Sequence, residues 1–374
     1  MERPNRIAIG TAFIRQGAHG AETRHLAMIE RLTQLGFDVR VEVCDMRPEI
    51  SAGKLPQWLR KFVTGWRTAG GASGRRETFF AFEPYSFIGG ALLARLKGNR
   101  AVYFCRNDQI YHAEEIARIV GRPLQIARRY FVLQYLCLLF ATTYVVQSRF
   151  AADHLRRRSR KWPLVASKNC ITILSNDVRL EIQAPPVTRD SKTLRVAFVA
   201  NPEWEKKGFF ILERLFASTT FQHADMTFSI FGRGVAFERL RNAMPELPTG
   251  KVEYKGFLSE ITALRQMVDV VLVPSVVDHF PNVVIECAAL GLPMVLSDIE
   301  AHRNIFPEHG GYFCVDAGPE EIVRKLEEMR VPTFRDSVCA SQQDDIVRLK
   351  DAWGAPLARI FDVGAQCGLE ACGA

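Results

Sequence analysis

The sequence predicts an α/β protein of two doubly wound, Rossmann-like halves. At 374 residues the chain is long for one ordinary domain and sufficient for two with separate cores. Short apolar runs alternate with amphipathic helical stretches, the pattern of α/β units around a parallel sheet. The alternation stops at Pro185-Pro186 and the polar TRDSK that follows, and then restarts. The expected organisation is an N-terminal domain over 1–186, a second domain over 187–342, and a C-terminal segment over 343–374 that packs back toward the first domain.

In the first half the strand candidates are Arg6–Ile9, Val39–Val43, Thr78–Phe82, Ala101–Phe104, Thr143–Gln147 and Cys170–Leu174. A helix over Ala21–Leu35 joins the first two and stops at Gly36. In the second half they are Leu194–Ala200, Asp225–Phe231, Val252–Tyr254, Val270–Val273 and Met294–Leu296. From Gln343 to Val363 the pattern is helical, with Trp353 and Ile360 on its apolar side. The closing GAQCGLEACGA reads as a disordered tail.

Composition narrows the classes. An apolar share of 48% suits a soluble globular chain, and the nine cysteines fall singly, which predicts reduced thiols in a cytoplasmic protein. The N-terminal run enters a strand without an apolar leader, so no signal peptide is expected. Tyr130–Val146 is the one stretch that resembles a membrane span. Gln134 and Thr142-Thr143 interrupt it, and it reads as a buried helix followed by a strand. The net charge of +8 is unevenly spread. Residues 1–186 hold 29 Lys/Arg against 15 Asp/Glu, a net of +14, while residues 187–374 hold 20 against 26, a net of −6. A basic first half predicts an anionic ligand or an anionic membrane surface as its partner. The run Arg156-Arg157-Arg158-Ser159-Arg160-Lys161-Trp162 follows a helix and lacks interleaved aromatics, so nucleic acid is not expected.

Val270–Ser297 is the stretch richest in chemistry. A buried strand ends at Pro274-Ser275, a short loop carries Asp278, and a helix opens near Asn282 and stops at Gly291 before Pro293. Backbone N–H groups of Asn282, Val283 and Val284 would face an anion at that helix start. A pyrophosphate fits there. Glu286, one turn deeper, is able to accept both hydrogen bonds of a ribose diol.

Asp278-x7-Glu286, with Pro274-Ser275 before it and Ala288-x2-Gly291-x-Pro293 after it, resembles the E-x7-E motif of the family 4 retaining glycosyltransferases of GT-B fold, with aspartate in the first position. The resemblance implies two Rossmann-like domains that face each other across a cleft, with the donor site in the C-terminal one. It also implies that Glu286 binds the donor ribose and that Asp278 approaches the donor sugar's hydroxyls. Lys207-Gly208 is similar to the family's Lys-Gly pair, which implies that Lys207 neutralises donor phosphate. Asn201-Pro202 stands where the family usually has an arginine. Gly232-Arg233-Gly234 resembles the family's glycine turn, and Arg233 is a candidate for the missing cation. Phe257 and Leu258 match the segment beside the nucleotide base, and Gly17 and Gly20 match the glycine-rich first loop facing the donor phosphates. Ser148-Arg149-Phe150 and Ser175-Asn176-Asp177 fall at two further family elements. Arg106 or Asp108, where many relatives carry a histidine nearby, would shape the acceptor site. His25 reads as a helix-surface residue, and His19 and His279 as site candidates.

The resemblance implies transfer of a sugar, with retention, from a UDP- or GDP-sugar to a glycan or lipid-linked acceptor, in making cell-envelope polysaccharide or glycoconjugate. The place is the cytoplasm or the inner face of the membrane. No Asp-x-Asp bridge is present, so no metal and no further cofactor is expected. No P-loop and no Gly-x-Ser-x-Gly elbow occurs either. A nucleotide-sugar 2-epimerase and a non-catalytic donor-binding relative are the alternatives on this architecture.

Overall fold

Parallel strands buried on both faces read as unbroken apolar runs, and such runs form the centre of each sheet here. A computed structural model describes residues 6–11, 20–43, 56–71, 77–106, 108–121, 126–166, 170–184, 193–243, 250–307, 312–314 and 318–361. The chain forms two compact units. The first comprises Met1–Tyr111, Gln125–Asn176 and Ala352–Ala374, and the second His112–Leu124 and Asp177–Asp351.

In the first unit, β1 (Arg6–Thr11), β2 (Asp38–Val43), β3 (Glu77–Ala81), β4 (Arg100–Cys105), β5 (Thr143–Val146) and β6 (Ile171–Ile173) form a parallel sheet in the order β2-β1-β3-β4-β5-β6. Successive side chains alternate between its faces. Ile7, Ile9, Phe80, Val102, Phe104 and Val145 face one way, where Met28 and Leu32 of helix Gly20–Gln34 and Leu357, Ile360 and Phe361 of helix Gly354–Phe361 cover them. On β4 and β5, Tyr103, Cys105 and Tyr144 therefore point to the opposite face. Helices Gln57–Gly70, Pro84–Leu96 and Arg128–Phe140 are successive neighbours in this unit.

His25 corrects one sequence expectation. It is buried, 5% exposed, and stacked on Phe82 with ring centroids 3.6 Å apart. The reason is helical phase: His25, Met28 and Leu32 follow i, i+3, i+7 and share the helix's apolar stripe.

The second unit holds β7 (Leu194–Val199), β8 (Met226–Phe231), β9 (Val252–Gly256), β10 (Val270–Val273), β11 (Met294–Ser297) and β12 (Phe313–Cys314), all parallel, in the order β12-β11-β10-β7-β8-β9. Val196, Phe198, Phe228, Ile230 and Leu272 pack on one face, and Ala197, Phe231, Val271, Val273 and Leu296 on the other. This strand order reverses direction between β7 and β10, which is where doubly wound sheets open a crevice at the carboxyl ends of their strands. Strand β12, of two residues, has no counterpart in the sequence expectations; it is too short for an alternation to register.

Tyr130–Val146 is a helix, Arg128–Phe140, followed by β5. No helix among the described residues is long and apolar enough to cross a membrane. The helical stretch near the C-terminus is two helices, Pro332–Ala352 and Gly354–Phe361. Pro356 explains the break, since its ring excludes a hydrogen bond to the carbonyl of Ala352 and clashes with it. Trp353 sits at the junction and donates its indole N–H to the Ser175 carbonyl at 2.9 Å. The Pro185-Pro186 linker and the terminal GAQCGLEACGA lie outside the described residues.

Candidate functional site

The second unit gathers its candidate residues at the carboxyl ends of β7, β8, β9 and β10. After β7 the chain runs to Gly208, whose φ of +73° lies in the left-handed region that favours glycine. A Cβ on Gly208 would stand 2.1 Å from the Pro274 carbonyl oxygen, so only glycine allows this turn to lie on the end of β10. The Val276 N–H also donates to the Lys206 carbonyl at 3.0 Å. These contacts bind the loops after β7 and β10 together.

The two loops deliver Lys207 and Asp278 to each other. Lys207 Nζ donates to Asp278 Oδ2 at 2.6 Å, and the His279 N–H donates to Asp278 Oδ1 at 2.8 Å. Both side chains are mostly buried. Burial alone would raise the Asp278 pKa. The charges of Lys207 and Lys206 and the hydrogen bonds from Lys207 and the His279 amide outweigh it, and hold the carboxyl well below the usual range. The site thus keeps the Asp278 carboxylate ionised at neutral pH, with Lys207 Nζ fixed against it.

His279 extends this cluster. Its Nδ1 lies 2.5 Å from His112 Nε2, and both rings are buried in the second unit. Burial, then His279 and the lysines Lys206 and Lys207, lower the His112 pKa to about 2, so this imidazole is neutral at physiological pH. The sequence offered no sign of His112, because its partner lies 167 residues away.

Helix Asn282–Ala289 follows the Asp278 loop. Pro281 precedes it, no side chain caps its N-terminus, and its first turn carries no acidic residue. Backbone N–H groups of Asn282, Val283 and Val284 therefore form an end suited to an anion. Glu286 stands in the second turn and is half-buried, between fully buried Ile285 and Cys287.

Beyond β8, Gly232 and Gly234 take φ of +145° and +113°. The Gly232 N–H donates to the Gly256 carbonyl at 2.8 Å, which sets this turn beside the end of β9. Arg233 lies over the Phe257 ring, 4.8 Å from its centroid, and Phe257 is 55% exposed. Leu258 is half-buried against the second unit's core. A Cβ on Gly234 would stand 3.1 Å from Pro202, so the Arg233 turn adjoins the Asn201-Pro202 segment.

In the first unit, Gly20 opens helix Gly20–Gln34, while Gly17 and His19 lie outside the described residues. Ser148 caps helix Arg149–Ser159 through the Ala151 N–H at 3.3 Å, and Gln147 Nε2 donates to Asn176 Oδ1 at 2.5 Å. Asp108 is structural in part: Oδ1 accepts the N–H groups of Ile110 and Tyr111, each at 3.0 Å, and Oδ2 pairs with Arg158 at 3.0 Å. Arg106 and Asp108 both line a cavity of about 470 Å³ in this unit. Among the described residues no cluster of metal-ligand type occurs.

Comparison with known proteins places this architecture. Residues 193–330 match the model of the glycosyl transferases group 1. Alr3699/HepE of Anabaena, solved in complex with UDP and glucose, superposes with a TM-score of 0.65 at 15% identity, over 93% of this chain and 98% of that one. Sucrose-phosphate synthase of Thermosynechococcus elongatus superposes with a TM-score of 0.70 at 14% identity, over 96% and 97%. Trehalose-6-phosphate synthase, solved in work on enzymatic glycosyltransfer with retention through bisubstrate glycomimetics, gives 0.64 at 12%, over 96% and 98%. No curated protein matches the chain in sequence. The fold is that of the GT-B glycosyltransferases, built on two Rossmann-like parallel-sheet domains.

The Lys207–Asp278 pair gives the site a testable signature. Lys207→Met leaves a buried carboxylate without its cation and is expected to cost about 3–5 kcal/mol in urea unfolding, while the double variant with Asp278→Asn recovers much of that loss. The folded Asp278 pKa lies below its unfolded value. Its contribution is therefore full above about pH 4 and is lost as pH falls through the depressed folded value. Below about pH 4 the unfolding midpoint should fall more steeply in the wild type than in the double variant. Equal slopes would remove the pair from the acid response.

Proposed function

We propose that this protein transfers a sugar, with retention, from a UDP- or GDP-linked donor held by its second unit to a glycan or lipid-linked acceptor. The observation that carries this reading is the buried Lys207–Asp278 pair beside the uncapped start of helix Asn282–Ala289, at the sheet's switch point. The match of residues 193–330 to the group 1 glycosyl transferases supports it, as does HepE's complex with UDP and glucose. Trehalose-6-phosphate synthase, studied for transfer with retention, supports the stereochemistry.

In this reading the diphosphate lies against the amides of Asn282, Val283 and Val284, with Gly232, Arg233 and Gly234 as further phosphate contacts. Glu286 accepts from the ribose diol, and Phe257 and Leu258 border the base. Lys207 offsets charge on the departing diphosphate, and Asp278, held ionised, accepts a donor-sugar hydroxyl. The phosphate oxygen that leaves the sugar takes the acceptor's proton. Lys207 and the helix amides supply the electrostatics, with no metal and no further cofactor.

Glu286→Ala removes a charge-assisted, bidentate hydrogen bond to the ribose. It should lower affinity for UDP or GDP by about 2–3 kcal/mol, with the unfolding midpoint little changed. Unaltered affinity in a calorimetric titration would take Glu286 out of the site. Turnover of the same nucleotide sugar should survive EDTA; activity abolished by chelator and restored by manganese or magnesium would refute the metal-free mechanism.

The basic first half supports attachment to an anionic membrane surface on the cytoplasmic side. Arg128 and Arg129 open helix Arg128–Phe140, and Trp58, Trp66 and Val132 are exposed on it and on helix Gln57–Gly70. Each basic residue near such a surface gains about 1 kcal/mol, over a Debye length of about 8–10 Å. Flotation with phosphatidylglycerol vesicles at low salt, lost at high salt, is the expected outcome. Equal indifference to neutral and anionic vesicles at low salt would show that the basic face acts only in solution.

A further inference from the structure

The alternation that turns Val102 and Phe104 into one core of the first sheet turns Tyr103 and Cys105 to the other face. Strands β4 and β5 pair in register with Tyr103 opposite Tyr144, so the two phenols stand side by side, edge to face, with centroids 5.1 Å apart. Both line the cavity of about 470 Å³, within the range of small-molecule sites of about 300–1,000 Å³.

The floor and the mouth of this cavity differ in chemistry. Its buried lining includes Phe82, Tyr103, Ile110, Cys137 and Tyr144. Lys61, Glu83, Tyr85, Arg106 and Tyr130 line it as well and are half-exposed. The polar groups on the buried side are largely committed. Both Asp108 oxygens accept hydrogen bonds, and Arg158 donates to Gln134 Oε1 at 2.9 Å. His25, stacked on Phe82, has its pKa lowered to about 3 by burial and then by Arg106, so it adds no charge.

The exception is His25 Nδ1, which is buried without a hydrogen-bond partner among the described residues. Tyr103 and Tyr144, 6% and 1% exposed, stand on the same cavity lining, and neither hydroxyl makes a side-chain hydrogen bond among the described residues. A buried imidazole nitrogen without a partner is unfavourable, and with two phenols on the same cavity lining it marks a place where a ligand supplies the partner. A pyranose, with hydroxyls all round its ring, would leave most of them unsatisfied against this floor. A charged group would be costlier still. A flat, weakly polar ring carrying one or two oxygens matches both the aromatic walls and the small number of polar atoms.

We propose that this cavity is the site for a neutral aromatic ring of the acceptor, bound against Tyr103 and Tyr144, with the acceptor's anionic groups outside at Lys61 and Arg106. The assignment rests on the glycosyl-transfer reading only in calling the ligand an acceptor; the cavity and its chemistry stand without it.

The test is calorimetric titration of the full chain with phenyl β-glucoside, octyl β-glucoside and glucose, alongside UDP. Phenyl β-glucoside should bind at least about tenfold more tightly than glucose. Tyr144→Phe and Tyr103→Phe, which remove an oxygen and keep the ring, should each weaken it about five- to tenfold while UDP binding is unchanged. Leu133→Trp, which fills the cavity from helix Arg128–Phe140, should abolish it. Phenyl glucoside no tighter than glucose, or insensitive to the tyrosine variants, would overturn the proposal. Octyl glucoside bound more tightly than the phenyl compound would mean an alkyl chain is the occupant, and would overturn the ring assignment. Phenyl glucoside bound as expected in a protein that binds no nucleotide would support the cavity while removing the glycosyl-transfer reading.

Discussion

The second unit is organised by the close approach of two loops at one point of a parallel sheet. Strand order reverses between β7 and β10, and the loops that leave these strands have to pass each other where the sheet opens. Gly208 makes the passage possible, because any side chain there would strike the Pro274 carbonyl. Once the loops touch, Lys207 meets Asp278, and the pair is buried deeply enough that each charge requires the other. The start of helix Asn282–Ala289 is then held beside a fixed carboxylate and a fixed ammonium. An anion bound there meets preorganised charge with little rearrangement, which is the electrostatic condition for stabilising a departing diphosphate.

The histidine pair serves the same loop from a second direction. His279 follows Asp278 directly and donates its amide to the carboxylate, while its ring is fixed by His112. His112 is kept neutral, so the imidazole pair adds no charge of its own from His112 beside Lys207 and Asp278. The loop is therefore held by a glycine contact, an ion pair and an imidazole pair, all independent of solvent.

The first unit solves a different problem with the same kind of sheet. One face is closed by helix Gly20–Gln34 and by the C-terminal helix, with Trp353 bonded to Ser175 at their edge. The other face is left with a cavity beneath helix Arg128–Phe140, lined from β4 and β5 by Tyr103, Cys105 and Tyr144. Arg158 reaches Asp108 and Gln134 and fixes the polar side of that wall. Ion pairing thus rigidifies both units, near a phosphate-compatible helix end in one and an aromatic hollow in the other.

Elements whose signal is local are legible in the amino-acid order alone. The runs Val270–Val273 and Met294–Ser297 are continuous and apolar because both faces of a parallel strand are buried, and such runs are readable from one strand alone. Asp278, Asn282 and Glu286 could be placed because strand, loop and helix follow one another within a few residues. Lys207, by contrast, could be linked to Asp278 only by resemblance, since 71 residues separate them and a fold has to bring them together. His25 was misread as a surface residue because a lone histidine in a polar-looking helix carries little phase information; its stacking on Phe82 comes from the packing of that helix on the sheet. Tyr103 and Tyr144 carried no signal at all. Which strands are neighbours, and in what register, is decided by tertiary pairing, and a one-residue shift of either strand would have sent its phenol to the opposite face.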